Sequence, residues 1–196
     1  MTLFIIFIVI ILLIVVLVVS IYNKLVMLRN RFKNSFAQIE VQLKRRYDLI
    51  PNLISTAKGY MEYEKETFER IVHARNQAIL GLKAASDAPD SDTAISELTQ
   101  AEGLLQNELG KLNIVVEAYP ELKANETMAQ LQEELTSTEN KVAFSRQAFN
   151  DAVTSYNTYK QTFPPAIVAN EFGFQDGKLL EFADSKAFQE APKVKF

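Results

Sequence analysis

The chain has 196 residues and a formal net charge of −3, and 48% of the residues are hydrophobic, 23% charged and 10% aromatic. It contains no cysteine, which excludes a disulfide scaffold, a thiolate zinc site and thiol catalysis. Its single histidine, His73, leaves no spare imidazole for a His-pair metal site or a Ser/His relay. Because glycine and proline are few and scattered, a mostly helical chain is favoured over a β-sandwich. We therefore expect no catalytic residue, no metal, no cofactor and no enzyme activity.

The N-terminal segment predicts one transmembrane helix. Residues 3–19 are all apolar, and the first charged residue is Lys24. About 20 helical residues, at about 1.5 Å each, cross the ~30 Å hydrocarbon core of a bilayer. A cleaved signal peptide is the alternative, but it would have a basic start, a shorter apolar core and a small-residue cleavage site. We expect residues 1–23 to remain as an anchor, with Tyr22 and Lys24 at the membrane interface.

Basic residues dominate the stretch that follows the anchor. We call its cations the basic collar: Lys24, Arg29, Arg31, Lys33, Lys44, Arg45 and Arg46. The positive-inside rule places the N-terminus outside the cell and the rest of the chain in the cytoplasm, with the opposite orientation as the alternative. The collar either attracts anionic lipid, at about 1 kcal/mol per well-placed cation, or merely sets the topology and solvates a helix face. Because the remainder of the chain is acidic, we expect no nucleic-acid binding.

The next segment predicts a long amphipathic helix continuous with the anchor. Its apolar residues recur every three or four positions and are Leu25, Leu28, Phe32, Phe36, Ile39, Leu43, Tyr47 and Ile50. No helix breaker occurs between Thr2 and Leu49, so one rod is expected to run from the bilayer into the body of the protein. Pro51 lacks an amide hydrogen and disfavours helix at the residue before it, so we expect the rod to end or kink there.

A second and a third helix are predicted after Pro51. The second spans about residues 51–85, and Glu64 and Arg75 interrupt its apolar face. A polar loop at residues 86–92 follows, in which Ser91 or Asp92 would cap the third helix. The third helix has one polar residue, Glu102, in its apolar stripe. Residues 118–121, which include Pro120, break this third helix.

A fourth helix begins near Asn125 and ends at Phe163. Its heptad pattern is the clearest in the chain and consists of Met128, Leu131, Leu135, Thr138, Val142, Ser145, Phe149, Ala152, Tyr156 and Tyr159. Four long helices that each carry one apolar stripe predict an antiparallel up-and-down four-helix bundle over residues 24–163. A long coiled-coil oligomer is the competing arrangement.

The C-terminal tail, residues 164–196, differs from the bundle. It contains Phe172, Phe174, Phe182, Phe188 and Phe196, and no helical period fits its first half. Such a segment is too aromatic to remain solvated. We expect an irregular tail that packs on its own bundle or on a neighbouring subunit.

Several blocks of the sequence resemble the LemA family. Residues 37–53 read AQIEVQLKRRYDLIPNL, and further matching blocks are Glu117-Ala-Tyr-Pro120, Phe149-Asn150-Asp151-Ala152-Val153 and Tyr156-Asn157. The resemblance covers roughly residues 20–182. It implies a bacterial protein with a single span in the inner membrane, an antiparallel helical bundle and no established enzymatic activity.

The block around Pro51 supplies the candidate interaction residues. Lys44, Arg45 and Arg46 would lie on the last turn of the rod, where cations suit a helix C-terminus, and Asp48 would cap the next helix. Three adjacent cations exceed what a corner needs, so an anionic partner or an acidic neighbouring subunit is the other interpretation. The complete set is Gln42, Lys44, Arg45, Arg46, Asp48, Pro51, Asn52, Tyr119 and Pro120.

Two functions fit these features. The first is a non-enzymatic scaffold that self-assembles as a homo-oligomer at the membrane and presents a helical surface to partners. The second is a regulatory module that transmits a signal along the rod. Metal ligation by the carboxylates at residues 62–69 is disfavoured, because a di-metal bundle needs Glu-x-x-His pairs on two helices. His73 is expected at the solvent edge.

Overall fold

A computed structural model describes residues 1–181, which form helices and loops with no strand in that range. In chain order the helices are α1 (Thr2–Lys58), α2 (Lys65–Asp87), α3 (Asp92–Val116), α4 (Pro120–Lys123), α5 (Glu126–Gln161) and α6 (Pro165–Glu171). The four long helices α1, α2, α3 and α5 alternate in direction. The predicted all-α, antiparallel up-and-down bundle is confirmed.

Helix α1 joins the apolar segment to the bundle without a break. Its N-terminal part is long and apolar enough to cross a membrane, with a mean hydropathy of 3.8 over its most apolar stretch. From Ile21 onward one stripe is buried in the core, and this stripe contains the predicted residues, with Leu28 partly buried. The continuity of the N-terminal helix with the bundle is therefore confirmed.

Helix α1 does not end at Pro51, which lies inside it, so the prediction that the rod ends there is wrong. It continues for about two more turns to Lys58. Pro51 cannot donate to the carbonyl of Tyr47, its partner one turn earlier. That oxygen instead accepts a hydrogen bond from Nε of Arg75 on α2, at 2.7 Å. A donor from a neighbouring helix thus satisfies the group that the proline leaves free.

Two further predictions fail for the same reason. Asp48 lies inside α1 with an exposed side chain, so it does not cap a second helix. Helix α2 begins at Lys65 instead of near Pro51, and its N-cap is Glu64. Lys44, Arg45 and Arg46 therefore lie well before the C-terminus of α1.

The core is built from two antiparallel helix pairs. Helix α1 packs along α5, and α2 packs along α3. The ring of Phe149 on α5 lies against Phe32 and Phe36 of α1, with centroid distances of 6.1 and 5.6 Å. Helices α2 and α3 approach closely at Gly81, where a Cβ would lie 3.1 Å from the Cα of Leu98. These contacts leave the face of α1 opposite the core uncovered.

The predicted N-caps Ser91 and Asn125 are confirmed. The Ser91 hydroxyl accepts a hydrogen bond from the Ala94 amide and caps α3. The Asn125 side chain accepts one from the Met128 amide at 3.0 Å and caps α5. The heptad residues of α5 that are buried are Met128, Leu135, Thr138, Val142, Phe149, Ala152 and Tyr156.

The tail contains a helix where the sequence predicts none. Pro165 occupies the first turn of α6, where its missing amide hydrogen costs nothing. After α6 the chain is extended and runs back along α5 of the same chain. Phe174 and Leu180 are buried against the bundle. The remaining predicted tail residues, Phe182, Phe188 and Phe196, lie outside the described residues.

Two asparagines of α5 hold the extended tail. The Asn157 side chain donates to the Gly177 carbonyl and accepts from the Gly177 amide, both at 2.8 Å. The Asn150 side chain pairs in the same way with the backbone of Leu180, at 3.1 and 2.9 Å. Gly177 suits the close approach, since a Cβ there would lie 3.1 Å from Cγ1 of Val153, which would have to shift.

Candidate functional site

A buried polar layer crosses the middle of the bundle. We define it as Arg46 and Tyr47 of α1, Arg75 of α2, Glu102 of α3 and Glu139 of α5. The Arg46 side chain is only 4% exposed and donates to Oε2 of Glu102 at 3.0 Å and to Oε1 of Glu139 at 3.1 Å. Its charge is thus paired inside its own chain. Arg46 does not belong to the exposed cationic surface that the sequence suggests.

Tyr47 and Glu102 complete the buried part of this layer. The Tyr47 hydroxyl donates to Oε1 of Glu102 in a short hydrogen bond. Burial raises the pKa of the Glu102 carboxyl, and the Arg46 charge and the Tyr47 hydrogen bond oppose that shift. Burial and the neighbouring Glu102 charge likewise raise the pKa of the Tyr47 phenol. Burial therefore disfavours the charged form of the Glu102 carboxylate at the centre of the layer, and the positive charge of Arg46 opposes this effect.

Hydrogen-bonding capacity remains next to this layer. Within residues 1–181, Oε1 of Gln42 and Nε of Arg46 are buried without a hydrogen-bond partner. Both carboxylate oxygens of Glu102 already accept hydrogen bonds, one from Nη1 of Arg46 and one from the Tyr47 hydroxyl. The layer resembles a structural network more than a binding cleft.

The other candidate residues are scattered along the surface of α1. Lys44 pairs with Glu40 at 2.5 Å, one turn earlier. Arg45, Asp48, Pro51 and Asn52 are exposed, and no contact pairs the Arg45 side chain within the described part of the chain. The structure does not gather these residues into one pocket.

Tyr119 and Pro120 lie at the other end of the bundle's third helix. Tyr119 is partly buried against the core and precedes α4, in which Pro120 is the first residue. Both residues shape the turn between α3 and α5. No contact connects them with the residues predicted on α1.

The end of the bundle next to the apolar segment carries the remaining collar residues. Arg29 and Lys33 both pair with Asp90 in the α2–α3 loop, with 2.9 Å between Lys33 Nζ and the carboxylate. Partial burial works to raise the pKa of Asp90, but hydrogen bonds from Lys33 and Arg29 outweigh it and hold this pKa low. The Lys24 ammonium lies 4.4 Å above the Tyr159 ring. These collar residues therefore connect α1 with the α2–α3 loop and with α5.

The described residues offer no assembled metal site. In residues 1–181 no group of three or more His, Asp or Glu side chains is placed to hold a metal ion. His73 is exposed on α2, as expected. The acidic residues near it, Glu62 and Glu69, are exposed as well.

The LemA family model matches residues 35–196. The chain belongs to the LemA family. Protein LemA of Metamycoplasma hominis is 26% identical over 162 residues, covering 83% of this chain and 69% of that protein. Magnetosome protein MamQ 2 of Paramagnetospirillum magneticum is 24% identical over 192 residues, covering 88% and 68%. Magnetosome protein MamQ of Magnetospirillum gryphiswaldense is 23% identical over the same length and coverage.

These similarities confirm the family resemblance found in the sequence blocks. The region matched to the LemA family contains the whole polar layer and starts inside α1, after the apolar segment. The names of these relatives are not those of enzymes. This LemA family member is a helical protein whose N-terminal helix has the length and composition of a membrane anchor.

Sequence reasoning missed several residues that organise this LemA family bundle. The contact between Arg75 and the Tyr47 carbonyl and the asparagine pairs at Asn150 and Asn157 were not predicted. A signal was present for the polar layer, because Glu102 and Arg75 each interrupt an otherwise apolar stripe. Polar residues in different stripes are candidates for pairing with one another.

Proposed function

We propose that the protein is a non-enzymatic, membrane-anchored scaffold that self-assembles at the membrane and presents its helical bundle to protein partners. The observation that carries this proposal is the uncovered face of α1. Opposite the core, α1 exposes a row of uncharged residues that we call the outer stripe: Met27, Asn30, Asn34, Ala37 and Val41. A spacing of three and four residues makes the stripe a heptad seam.

The outer stripe suits contact with a second copy of the chain. Two copies anchored in one membrane with the same topology present their α1 helices in parallel, so each stripe residue meets its own counterpart. Like charges would repel in that position, whereas methionine, alanine and valine pack. Asparagine both donates and accepts, so two facing copies of Asn30 or Asn34 pair with each other.

The flanks of the stripe are also compatible with this contact. Glu40 and Arg45 lie on opposite sides of the stripe and five residues apart, the separation at which flanking charges pair across a parallel two-helix seam. Arg45 has no partner in the described residues, and the ion pair of Glu40 is with Lys44 on the same helix. A second copy supplies the missing acceptor for Arg45.

Cysteine cross-linking tests the proposal, because the chain has no cysteine of its own. Asn34→Cys and Val41→Cys variants are oxidised in membranes and analysed on non-reducing gels. A disulfide needs Cα atoms about 4.4–6.8 Å apart, so we expect dimers at both positions. Asn107→Cys on α3 and Ser137→Cys on α5 are the exposed controls and should stay monomeric.

Two results contradict the proposal at different levels. Equal cross-linking at the stripe and control positions would show that the outer stripe is not the surface through which two copies of the chain meet. Amine-reactive cross-linking of the unsubstituted chain detects assembly through any face, and recovery of monomer alone would end the scaffold proposal altogether.

A regulatory module is the second candidate, and the polar layer favours it. Arg46 links α1 to α3 and α5, and the Tyr47 backbone links α1 to α2. A movement of α1 in the bilayer would therefore reach every long helix. In nanodiscs of different thickness, amide exchange around Glu102 should change. A glycine-serine insertion between Asn23 and Lys24 should abolish that change while leaving cross-linking at Val41→Cys intact.

The proposed location is the inner membrane of a bacterium, with the bundle on the cytoplasmic side. The basic collar supports this orientation. With α1 along the membrane normal, Arg45 lies about 33 Å beyond Asn23, several Debye lengths away. Lys24, Arg29 and Arg31 are the collar residues near enough to attract anionic lipid. Proteolysis of intact spheroplasts should spare the bundle, and its digestion from outside would reverse the orientation.

A further inference from the structure

We infer that the C-terminal end of the bundle makes a second contact with the membrane, in which Phe163, Ile167 and Phe172 insert among the lipid headgroups beside Tyr22. We call these three residues and α6 the interfacial foot. The proposal concerns lipid as the partner and does not depend on self-assembly. It depends on the apolar part of α1 crossing the bilayer.

The level of the interfacial foot follows from the pairing of α1 and α5. The Lys24 ammonium lies over the Tyr159 ring, which sets the register of the two antiparallel helices at this end. Helix α5 ends at Gln161, two residues after Tyr159, and Phe163 follows two residues later. Phe163 therefore lies near the level at which α1 passes from its continuous apolar run to Lys24.

Ring contacts place the other end of α6 at the same level. Phe172 packs edge-on against Tyr22 with a centroid distance of 5.1 Å, and Phe174 packs against the same ring at 5.5 Å. At this end of α1, Ile21 is buried in the core and Val18 is partly buried against it. Both termini of α6 are thus fixed beside the last residues of the apolar segment.

The exposure of the foot indicates what covers it. Phe163 is 82% exposed, Ile167 61% and Phe172 55%, although these side chains are large and apolar. Pro165, Val168 and Ala169 face the bundle and are buried. A short segment with one apolar face on the protein and another outward, at the level of the headgroups, is typical of an interfacial segment.

Charge does not explain this contact. Lys160 is paired with Asp176 at 2.8 Å, and Glu171 at the end of α6 is an exposed carboxylate. Binding of the foot should therefore come from apolar burial, and its dependence on salt and on anionic lipid should be weak. This separates it from the basic collar, whose attraction to lipid would be screened by salt.

Tryptophan fluorescence tests the proposal, because the chain has no tryptophan. Phe163→Trp and Ile167→Trp are made singly in the full chain and reconstituted in vesicles that contain lipids brominated near the head of the acyl chain. We expect a blue-shifted emission and a large loss of intensity relative to vesicles without bromine. The loss should persist at high salt and in purely zwitterionic lipid.

Two control variants frame the result. Leu12→Trp, inside the apolar segment, should be quenched most by bromines deep in the acyl chain. Phe144→Trp, which replaces a phenylalanine that is 80% exposed on α5 far from the foot, should keep its intensity. If Phe163→Trp and Ile167→Trp behave like Phe144→Trp while Leu12→Trp is quenched, the inference is overturned.

A second measurement protects the test against variants that disturb the fold. Amide exchange of the unsubstituted chain should show α6 protected in nanodiscs and less protected after transfer to a short-chain detergent, with α3 unchanged. Protection of α6 that is equal in both media would also overturn the inference. Cross-linked dimers at Phe163→Cys without lipid quenching would assign the foot to a second copy instead.

Discussion

At Arg46, a guanidinium group from a run of three cations is enclosed between helices of its own chain. Its neighbours Lys44 and Arg45 are exposed, so the same run of charge is divided between core and surface. Glu102, 56 residues away in the chain, supplies the buried carboxylate. The pair costs desolvation energy, and its value to the fold lies in fixing how the helices pair.

The buried pair predicts strongly non-additive substitutions. Arg46→Met should lower the free energy of unfolding by about 3–5 kcal/mol, because it leaves the Glu102 carboxylate buried without its counter-charge. Glu102→Leu should cost less, because Arg46 keeps its ion pair with Glu139. The double variant should lose much less than the sum of the two. Thermal unfolding followed by circular dichroism in detergent measures the cycle, with the exposed Glu97→Leu on α3 as control. Additive losses would show that the two side chains do not act as a pair.

Asp90 predicts a specific acid sensitivity. Its folded-state pKa is held below the usual value of 3.8, so its contribution to stability is present above that pH and is lost as the pH falls through the folded pKa. Because both cationic partners are partly exposed, we expect about 1 kcal/mol or less. Asp90→Asn should flatten the fall in melting temperature between about pH 5 and pH 3. Asp87→Asn, the exposed neighbour, should leave the fall unchanged.

At the scale of single elements, α1 depends on a donor outside itself. Pro51 leaves the Tyr47 carbonyl free, and Arg75 fills the gap. A residue of α2 thus satisfies the backbone group that Pro51 leaves free in α1. This explains why local rules for proline give the wrong boundary here.

A double-mutant cycle tests this dependence. Arg75→Leu should destabilise the protein by about 1–2 kcal/mol when Pro51 is present, because a partly buried carbonyl loses its partner. In a Pro51→Ala background the loss should be smaller, since the new amide reaches the Tyr47 carbonyl. Urea unfolding in detergent measures both, and Lys83→Leu on the exposed side of α2 controls for removal of a charge. An equal loss in both backgrounds would refute the explanation.

The tail is an element held by side chains instead of by a sheet. Asn157→Leu should release residues near Gly177 from α5, because it removes both hydrogen bonds to that residue. We expect faster amide exchange at Gly177 and Leu180 and a loss of stability of about 1–3 kcal/mol. The exposed Thr154→Leu on α5 is the matched control. Unchanged exchange at Gly177 would mean that the buried Phe174 and Leu180 suffice to hold the tail.

For the whole molecule, the sequence predicts the helices whose buried faces follow from regularly spaced apolar residues. The stripe of α1 and the heptad of α5 follow from repeated apolar spacing, and the caps Ser91 and Asn125 follow from local chemistry. The burial of Arg46 and the passage of α1 through Pro51 involve hydrogen bonds between residues 28 to 93 positions apart, which no local pattern links. The asparagine pairs of the tail bind backbone atoms, so they leave no complementary residue type to recognise.

The unbroken length of α1 also sets the distance between the apolar segment and the loop that follows this helix. Between Asn23 and Lys58 the helix rises about 52 Å. If residues 3–19 cross a bilayer, the Gly59–Glu64 loop lies at the far end of this part of α1, away from the membrane. Anything that touches Tyr63, 95% exposed in that loop, must stand as tall as this part of α1 or approach from the aqueous side. A partner bound at this loop would therefore be held at a distance from the lipid that the length of α1 sets.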